Sequence, residues 1–323
     1  MSSLNVLYNT DNKFLDITMA SMLSLLTNSG IPKINFHIIT SNFSKEDYLK
    51  LESLYYKYPA IQIYYYDLEK SSILSYNINA WRGSQIANAR LFFKSILGSK
   101  INDIDSLLYL DSDTIVCNAL NDLENLKGVF MSRDLGLMNY DKDALGITGN
   151  YYNSGVIYID IPYWLENNCE EKLKKFITNN DVSKLTHPDQ DIINIALNKD
   201  LQELPFIYNL PFYFTYFNDL EKRLFWHNNR SVTYEEIKYL SITPIILHAY
   251  GAFGITPWTN NKVNPYNEEF RKYLYQVNQA FSLQELSLLK SIIGHNDYLF
   301  KSALILRGYI SEPANNILKR VLV

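Results

Sequence analysis

Apolar positions along the chain fall into short, nearly continuous runs that alternate with longer segments where they recur every three or four residues. Residues 4–9 (LNVLYN) form the first run and predict a strand buried on both faces. Polar TDN follows, and from 14 to 26 the apolar positions return at helical spacing until Asn28-Ser29-Gly30. The alternation then repeats, with a strand at 35–40, a helix opened by the capping-box pair Ser44 and Asp47 and running to 58, and a strand at 61–66. After a less regular stretch, 71–83, the spacing predicts a helix over 85–97, then a short strand over 106–110 that runs into Asp111-Ser112-Asp113. Further strands are expected at 128–132, 155–160 and 244–248, with helices at 164–178 and 189–197. Strands alternating with helices require crossover connections, so the predicted class is α/β, a mostly parallel twisted sheet with helices on both faces. Beyond 265 the pattern is helical alone, at 268–277, 283–293, 298–306 and 315–322, which predicts a C-terminal helical appendage (265–323) on a main domain (1–264).

Composition narrows the chemistry. With 323 residues, 47% hydrophobic and 20% charged, the chain has the make-up of a folded globular protein. Thirty basic against 34 acidic residues give a net charge of -4, which supplies no field for a nucleic-acid partner. Two cysteines, Cys117 and Cys169, suffice for neither a disulfide framework nor a four-ligand zinc site and are expected as buried small apolar residues. The N-terminus lacks the pattern of a signal peptide, and no run approaches the ~18 apolar residues of a membrane span, so the expected location is cytoplasmic. The C-terminal part sets Lys290, Lys301, Arg307, Lys319 and Arg320 among Ile, Leu, Phe and Tyr. Such a composition suits peripheral contact with the inner face of an anionic membrane as well as packing on the main domain.

Four clusters carry candidate chemistry. Asp111 and Asp113 leave a strand end, where open α/β sheets bind ligands, and alternate carboxylates there can share one Mg²⁺ or Mn²⁺. His187-Pro188-Asp189-Gln190-Asp191 opens a helix; Pro and the helix dipole account for Pro188 and one aspartate but do not require Gln190. Asn150 to Val156 enters a strand through Asn153-Ser154-Gly155, where small residues admit either a bound ring or a tight turn. His248-Ala249-Tyr250-Gly251 follows the strand PIIL, and a histidine there is either a satisfied structural residue or a third metal ligand.

The order NTDN, ANARLFF, YLDSDTIV, NSGVIYID, HPDQDIIN and HAYG followed by PW resembles the family 8 retaining glycosyltransferases, which include bacterial lipooligosaccharide galactosyltransferases and glycogenin. The resemblance spans about Val6 to Trp258 and implies a GT-A fold that holds a UDP-sugar donor through Mn²⁺, with Mg²⁺ as the alternative. By position, it makes Asp111, Asp113 and His248 the metal ligands, with Ser112 between the carboxylates. Asn9, Thr10, Asp11 and Asn12 match the loop that contacts uridine, and Arg90 matches a donor-binding arginine. Asn153, Ser154, Asp189 and Gln190 match residues around the donor sugar, as does Asp134 after VFMSR. For the phosphates, the backbone amides at Gly251 and Gly254 are candidates to close over them, and Lys262 is a candidate to reach in. Asp189 and Gln190 become the candidate catalytic residues, with the Gln190 carbonyl facing the oxocarbenium-like sugar while the acceptor enters from the side the phosphate leaves. The pattern departs at HAYGAFGITPW, two residues longer than in relatives and with Thr256 in place of a lysine, and at Lys13, where an aromatic is expected and Phe14 follows.

The implied reaction is retaining transfer of a hexose, galactose ahead of glucose, to a glycan or a glycosylated protein such as a bacterial serine-rich adhesin, forming an α-linkage. Two alternatives stand beside it. A nucleotidyltransferase making a nucleotide-sugar shares the sheet and the aspartates but requires a Gly-rich phosphate loop after the first strand, which NTDNKF does not supply. A non-catalytic sugar-nucleotide binder is suggested by the missing lysine and opposed by the joint presence of Asp111, Asp113, His248 and Gln190.

Overall fold

The computed structural model of the chain describes residues 2–80, 84–135, 142, 145–211, 216–226, 243–250 and 252–309. The strands are β1 (Leu4–Asp11), β2 (Ile34–Ser41), β3 (Ile61–Asp67), β4 (Ser106–Leu110), β5 (Thr114–Val116), β6 (Val129–Arg133), β7 (Tyr152–Asp160), β8 (Leu201–Glu203), β9 (Leu210–Pro211) and β10 (Ile246–His248). The helices are α1 (Leu15–Asn28), α2 (Lys45–Glu52), α3 (Leu54–Lys57), α4 (Phe93–Leu97), α5 (Ile161–Glu166), α6 (Cys169–Asn179), α7 (Pro188–Ala196), α8 (Asp219–Trp226), α9 (Asn267–Val277), α10 (Leu288–Gly294) and α11 (Asp297–Tyr309).

Seven strands form one sheet in the order β3-β2-β1-β4-β7-β6-β8. Each neighbouring pair is parallel except the two that β7 makes, with β4 and with β6. Successive strands run outward from β1 to β3, and β4 then pairs on the other side of β1, so the order reverses between β1 and β4. The carboxyl ends of these two strands flank a switch point, where α/β sheets open a crevice. Both faces of the sheet are covered, which is why β1 and β4 read as continuous apolar runs. Leu7, Leu107 and Tyr109 face one cluster, and Val6, Tyr8, Leu108 and Leu110 face the other.

A second sheet, β5-β10-β9, was not legible as such. β10 runs antiparallel to β5 with His248 opposite Thr114, and parallel to β9 with His248 opposite Pro211. This sheet shares a third apolar cluster with α1 and the C-terminal helices, from Ile17 to Phe270, Tyr273, Phe300 and Leu304. Asn28 fastens the junction by donating from Nδ2 to the Val116 carbonyl and to the Tyr273 hydroxyl, both at 2.7 Å.

Several expected helices are broken for visible reasons. The capping box at Ser44 and Asp47 forms, but the helix stops at Ser53, whose hydroxyl donates to the Lys50 carbonyl. The helix expected over 85–97 begins as a 3₁₀ stretch, Ile86–Phe92, because Arg90 Nε takes the Ala87 carbonyl that an α-helical turn would use. The helix expected over 164–178 divides at Asn168, which adopts the left-handed conformation at φ 51°. That expected over 283–293 starts only at Leu288, because Gln284 exchanges backbone hydrogen bonds with Trp258 and Asn260. The helix expected at 315–322 lies outside the described residues. Cys169 is buried as expected, whereas Cys117, just past β5, is only partly so.

His37 lies on β2 with its ring fully buried, Nδ1 3.0 Å from the Tyr66 hydroxyl and the ring stacked on Tyr64. Burial, reinforced by Lys100, pushes its pKa down from 6.5 to about 4. The unfolded chain therefore takes up this proton at a higher pH than the folded one, and stability present at neutral pH is lost as pH falls from about 6.5 to about 4. Urea denaturation across that window should show this loss, by up to about 3 kcal/mol, and His37→Phe should flatten the slope. An unchanged slope in the variant would assign the acid sensitivity to other groups.

Candidate active site

β4 delivers two carboxylates into the crevice. Asp111 donates its backbone N–H to the Gly155 carbonyl at 2.8 Å, and its own carbonyl accepts from the Thr114 hydroxyl, which fixes the turn between β4 and β5. Ser112 points back into the fold: its hydroxyl is 2.8 Å from that of Thr18, which is itself 2.7 Å from Thr10. Ser112 therefore ties the carboxylate turn to β1 and α1.

His248 reaches the same place from far along the chain through the β5–β10 pairing, and the Ala249 N–H continues that pairing onto the Asp113 carbonyl. Its Nε2 lies 3.2 Å from Asp113 and 3.6 Å from Asp111, and its Nδ1 lies 2.8 Å from Asn209 Oδ1. One ligand atom from each of Asp111, Asp113 and His248 falls within 4.8 Å of the others. Two carboxylates and an imidazole converging in this way fit a divalent cation. Gly155 explains how the ring gets in. A Cβ on that residue would sit 2.1 Å from His248 Cε1, so the small residue admits the protein's own imidazole rather than a bound ring or a special turn.

Arg90 is the hub beside these three side chains. Its guanidinium pairs with Asp111 at 2.8 Å and Asp189 at 3.2 Å, donates to the Ser154 carbonyl at 2.8 Å, and lies over the Tyr109 ring at 4.5 Å. Tyr109 in turn donates to Asp111 at 2.6 Å. Burial opposes the charge on Arg90, yet Asp111, Tyr109 and Asp189 hold its pKa above the ordinary value. Burial raises Asp111 above the usual carboxylate range, against Arg90 and His248, which favour its anion. Burial also works against the His248 imidazolium, but Asp113 and Asp111 outweigh it and leave the group above 6.5. A cation bound here displaces that proton.

The second half of the site hangs on the first turn of α7. Gln190 is buried, its Oε1 accepting from the Ser154 N–H at 3.0 Å and Asn153 Nδ2 at 3.1 Å, its Nε2 donating to Asp134 at 3.0 Å and Tyr151 at 3.2 Å. Asp189 accepts from the Ser154 hydroxyl at 3.1 Å while pairing with Arg90. Asp191 accepts from the His187 N–H and the Tyr151 hydroxyl and is the structural aspartate of the motif. Tyr151 and Asn194 lie inside the Asn150–Val156 and HPDQDIIN motifs with no role legible from the sequence, and Asn209 lies in none of the motifs. Asn194 clamps both backbone groups of Tyr152 and so extends β7 back to that residue.

Of the β1 loop, Asn9 is buried with both side-chain polar atoms unpartnered, and Thr10 is buried beneath it. Buried amides are rarely left so, and this one suits a planar donor–acceptor ligand edge. Asp11 accepts from the N–H groups of Lys13 and Phe14 and starts α1, and Asn12 is exposed. Phe14 is exposed, its ring edge-on to Trp258 at 6.0 Å. Gly251 lies outside the described residues. Thr256 is buried and offers no cation, whereas Lys290 of α10 places Nζ 3.5 Å from where a Cβ on Gly254 would lie.

The family model for glycosyl transferase family 8 matches residues 5–262. A lipopolysaccharide 1,2-glucosyltransferase of Escherichia coli is 28% identical over 302 residues, 84% of this chain and 86% of that protein. A lipopolysaccharide 1,3-galactosyltransferase of Salmonella typhimurium is 30% identical over 207 residues, 60% of this chain and 59% of that one. The solved structure of the galactosyltransferase LgtC in complex with donor and acceptor sugar analogues is similar in fold, with a TM-score of 0.69 at 17% identity over 85% of this chain and 96% of that one. The GT-A arrangement implied by the motifs is thus the one observed.

Because the His248 ring fills the space over Gly155, Gly155→Ala should displace it. Overpacking of this kind costs about 1–3 kcal/mol, seen as a lower Tm, and Mn²⁺ affinity measured by calorimetry should fall at least tenfold. A variant that binds Mn²⁺ as the wild type does would remove His248 from the ligand set.

Proposed function

The chain belongs to glycosyl transferase family 8, and from that premise we propose that it transfers a hexose from a UDP-sugar to a glycan hydroxyl, with retention of the α configuration and dependence on a divalent cation. The observation that carries this reading is the convergence of Asp111, Asp113 and His248 beside the Arg90, Asp189 and Gln190 cluster at the β1–β4 switch point. Mn²⁺ is the favoured cation, with Mg²⁺ second, and Asn9 to Asn12 form the nucleoside side of the pocket. The sugar is galactose or glucose, the two transfers that the relatives' names carry. A lipopolysaccharide-type glycan and the glycan of a bacterial adhesin are the two acceptor classes. Residues 1–264 are the catalytic unit and 265–323 the appendage.

Bound there, the cation would neutralise charge on the diphosphate as the sugar departs. The protein's own groups do the rest. Arg90 keeps Asp111 and Asp189 apart and in register despite their like charge. Gln190 presents a neutral amide whose position is set by four partners, so its dipole needs no reorganisation when positive charge grows on the sugar carbon. An amide held in this way is a poor nucleophile, which favours attack by the acceptor from the leaving-group side.

No helix among the described residues is long and apolar enough to cross a membrane. Leu288, Ile292, Tyr298 and Leu306 are exposed on α10 and α11, and we propose that this face makes a peripheral contact with the inner face of the membrane. Flotation with anionic vesicles should recover the wild-type chain and lose the Leu288→Glu/Ile292→Glu double variant. Equal recovery of the two would place the contact elsewhere.

UDP release measured with a panel of UDP-hexoses should show Mn²⁺-dependent turnover of one donor, stimulated by acceptor, and Asp113→Asn should reduce it at least a hundredfold with the fold intact. Wild-type turnover in that variant would move the cation site, and UDP binding without release from any donor, with acceptor glycans present, would mark a binding protein.

A further inference from the structure

Asn209 belongs to none of the sequence motifs, yet it joins the two halves of the site. It is buried, immediately precedes β9, and lies beside His248 because β9 pairs with β10. We infer that Asn209 is the positioning residue that selects the tautomer of His248 and so presents Nε2 to a bound cation. The inference rests on the proposal that Asp111, Asp113 and His248 form the cation site.

A neutral imidazole carries one N–H and one lone pair, and the partner of one nitrogen decides what the other can do. Here the choice is dictated by groups that act in only one sense. The Gly155 N–H can only donate, and it does so to Asn153 Oδ1 at 3.0 Å. The Asp134 carboxylate accepts, taking Asn153 Nδ2 at 3.0 Å. The Asn153 amide is thereby oriented with its oxygen toward Asn209, which must answer with Nδ2, at 2.9 Å. That leaves Asn209 Oδ1 facing His248 Nδ1 at 2.8 Å, and an oxygen acceptor there requires the proton on Nδ1. The lone pair of the neutral ring is then on Nε2, the atom 3.2 Å from Asp113 and 3.6 Å from Asp111. Asn153 Nδ2 also donates to Gln190 Oε1, so donation runs in one direction from His248 through Asn209 and Asn153 to Gln190.

Two variants of the full chain separate this role from packing. Asn209→Asp keeps an acceptor for the Nδ1–H of His248 but cannot donate to Asn153; Asn209→Leu keeps the volume and removes both hydrogen bonds. Titration of Mn²⁺ alone, by calorimetry, should show roughly ten- to a hundredfold weaker binding in Asn209→Leu and binding within about threefold of wild type in Asn209→Asp. A merely structural residue would lower Tm in both and change Mn²⁺ affinity in neither, which would overturn the inference while leaving the cation site standing. Should Asn209→Leu fail to fold, the ¹⁵N shifts of His248 in the wild-type chain with Mg²⁺ decide. A protonated Nδ1 supports the inference, and a protonated Nε2 overturns it. Asp113→Asn is the control: wild-type protein that binds no Mn²⁺, or binds it equally after that substitution, would sink the cation site itself and this inference with it.

Discussion

A guanidinium cannot be buried without charge to meet it, and that requirement organises the site. Arg90 is buried where three carboxylates gather, and it answers two of them, Asp111 and Asp189, while taking the carbonyl of Ser154 and resting on the ring of Tyr109. Those partners come from the end of β4, from β7 and from the first turn of α7, so one side chain holds three elements in register. Removing one member of such a buried network typically costs about 3–5 kcal/mol, because the others are left uncompensated. The same contacts offset part of the negative charge that the carboxylates bring to the crevice.

The first turn of α7 shows how one short motif serves several purposes. Successive helical residues point about 100° apart, so Asp189, Gln190 and Asp191 fan out rather than stack. Asp189 turns to Arg90, Gln190 to Ser154 and Asn153, and Asp191 to Tyr151 and the backbone of His187. The helix-start reading of HPDQD holds for Asp191, while Asp189 and Gln190 face the Arg90 and Ser154 cluster. The neutral member sits between two anions and does not compete for Arg90.

What was legible in the sequence was what periodicity and strand ends encode. Continuous apolar runs mark β1, β2 and β4, and the polar residues that terminate them, Asn9 to Asp11 and Asp111 to Asp113, flank the switch point. His248 was legible as a strand-end residue, and its meeting with Asp111 and Asp113 depended on an antiparallel pairing between distant segments. The small sheet was hidden because strands of two or three residues carry too few positions for a period. Asn209, Tyr151 and Asn194 had no legible role for another reason: a single Asn or Tyr in a loop or helix has many local uses, and its partner is named only by tertiary contact. Helix breaks at Ser53 and Asn168 likewise turn on side-chain and left-handed conformations that apolar spacing does not register.

The contact between His248 and Gly155 also has a temporal side. A chain leaves the ribosome from its N-terminus, and every strand of the large sheet, through Glu203, precedes β10. The crevice, Arg90 and both carboxylates can thus be assembled while the imidazole that completes them is still inside the exit tunnel. Asp111 and Asp113 spend that interval without their third partner, and the space above Gly155 stays empty until the small sheet docks. The trio of Asp111, Asp113 and His248 is therefore incomplete until β10 emerges, and α9 and α11, which share the small sheet's apolar cluster, follow later still.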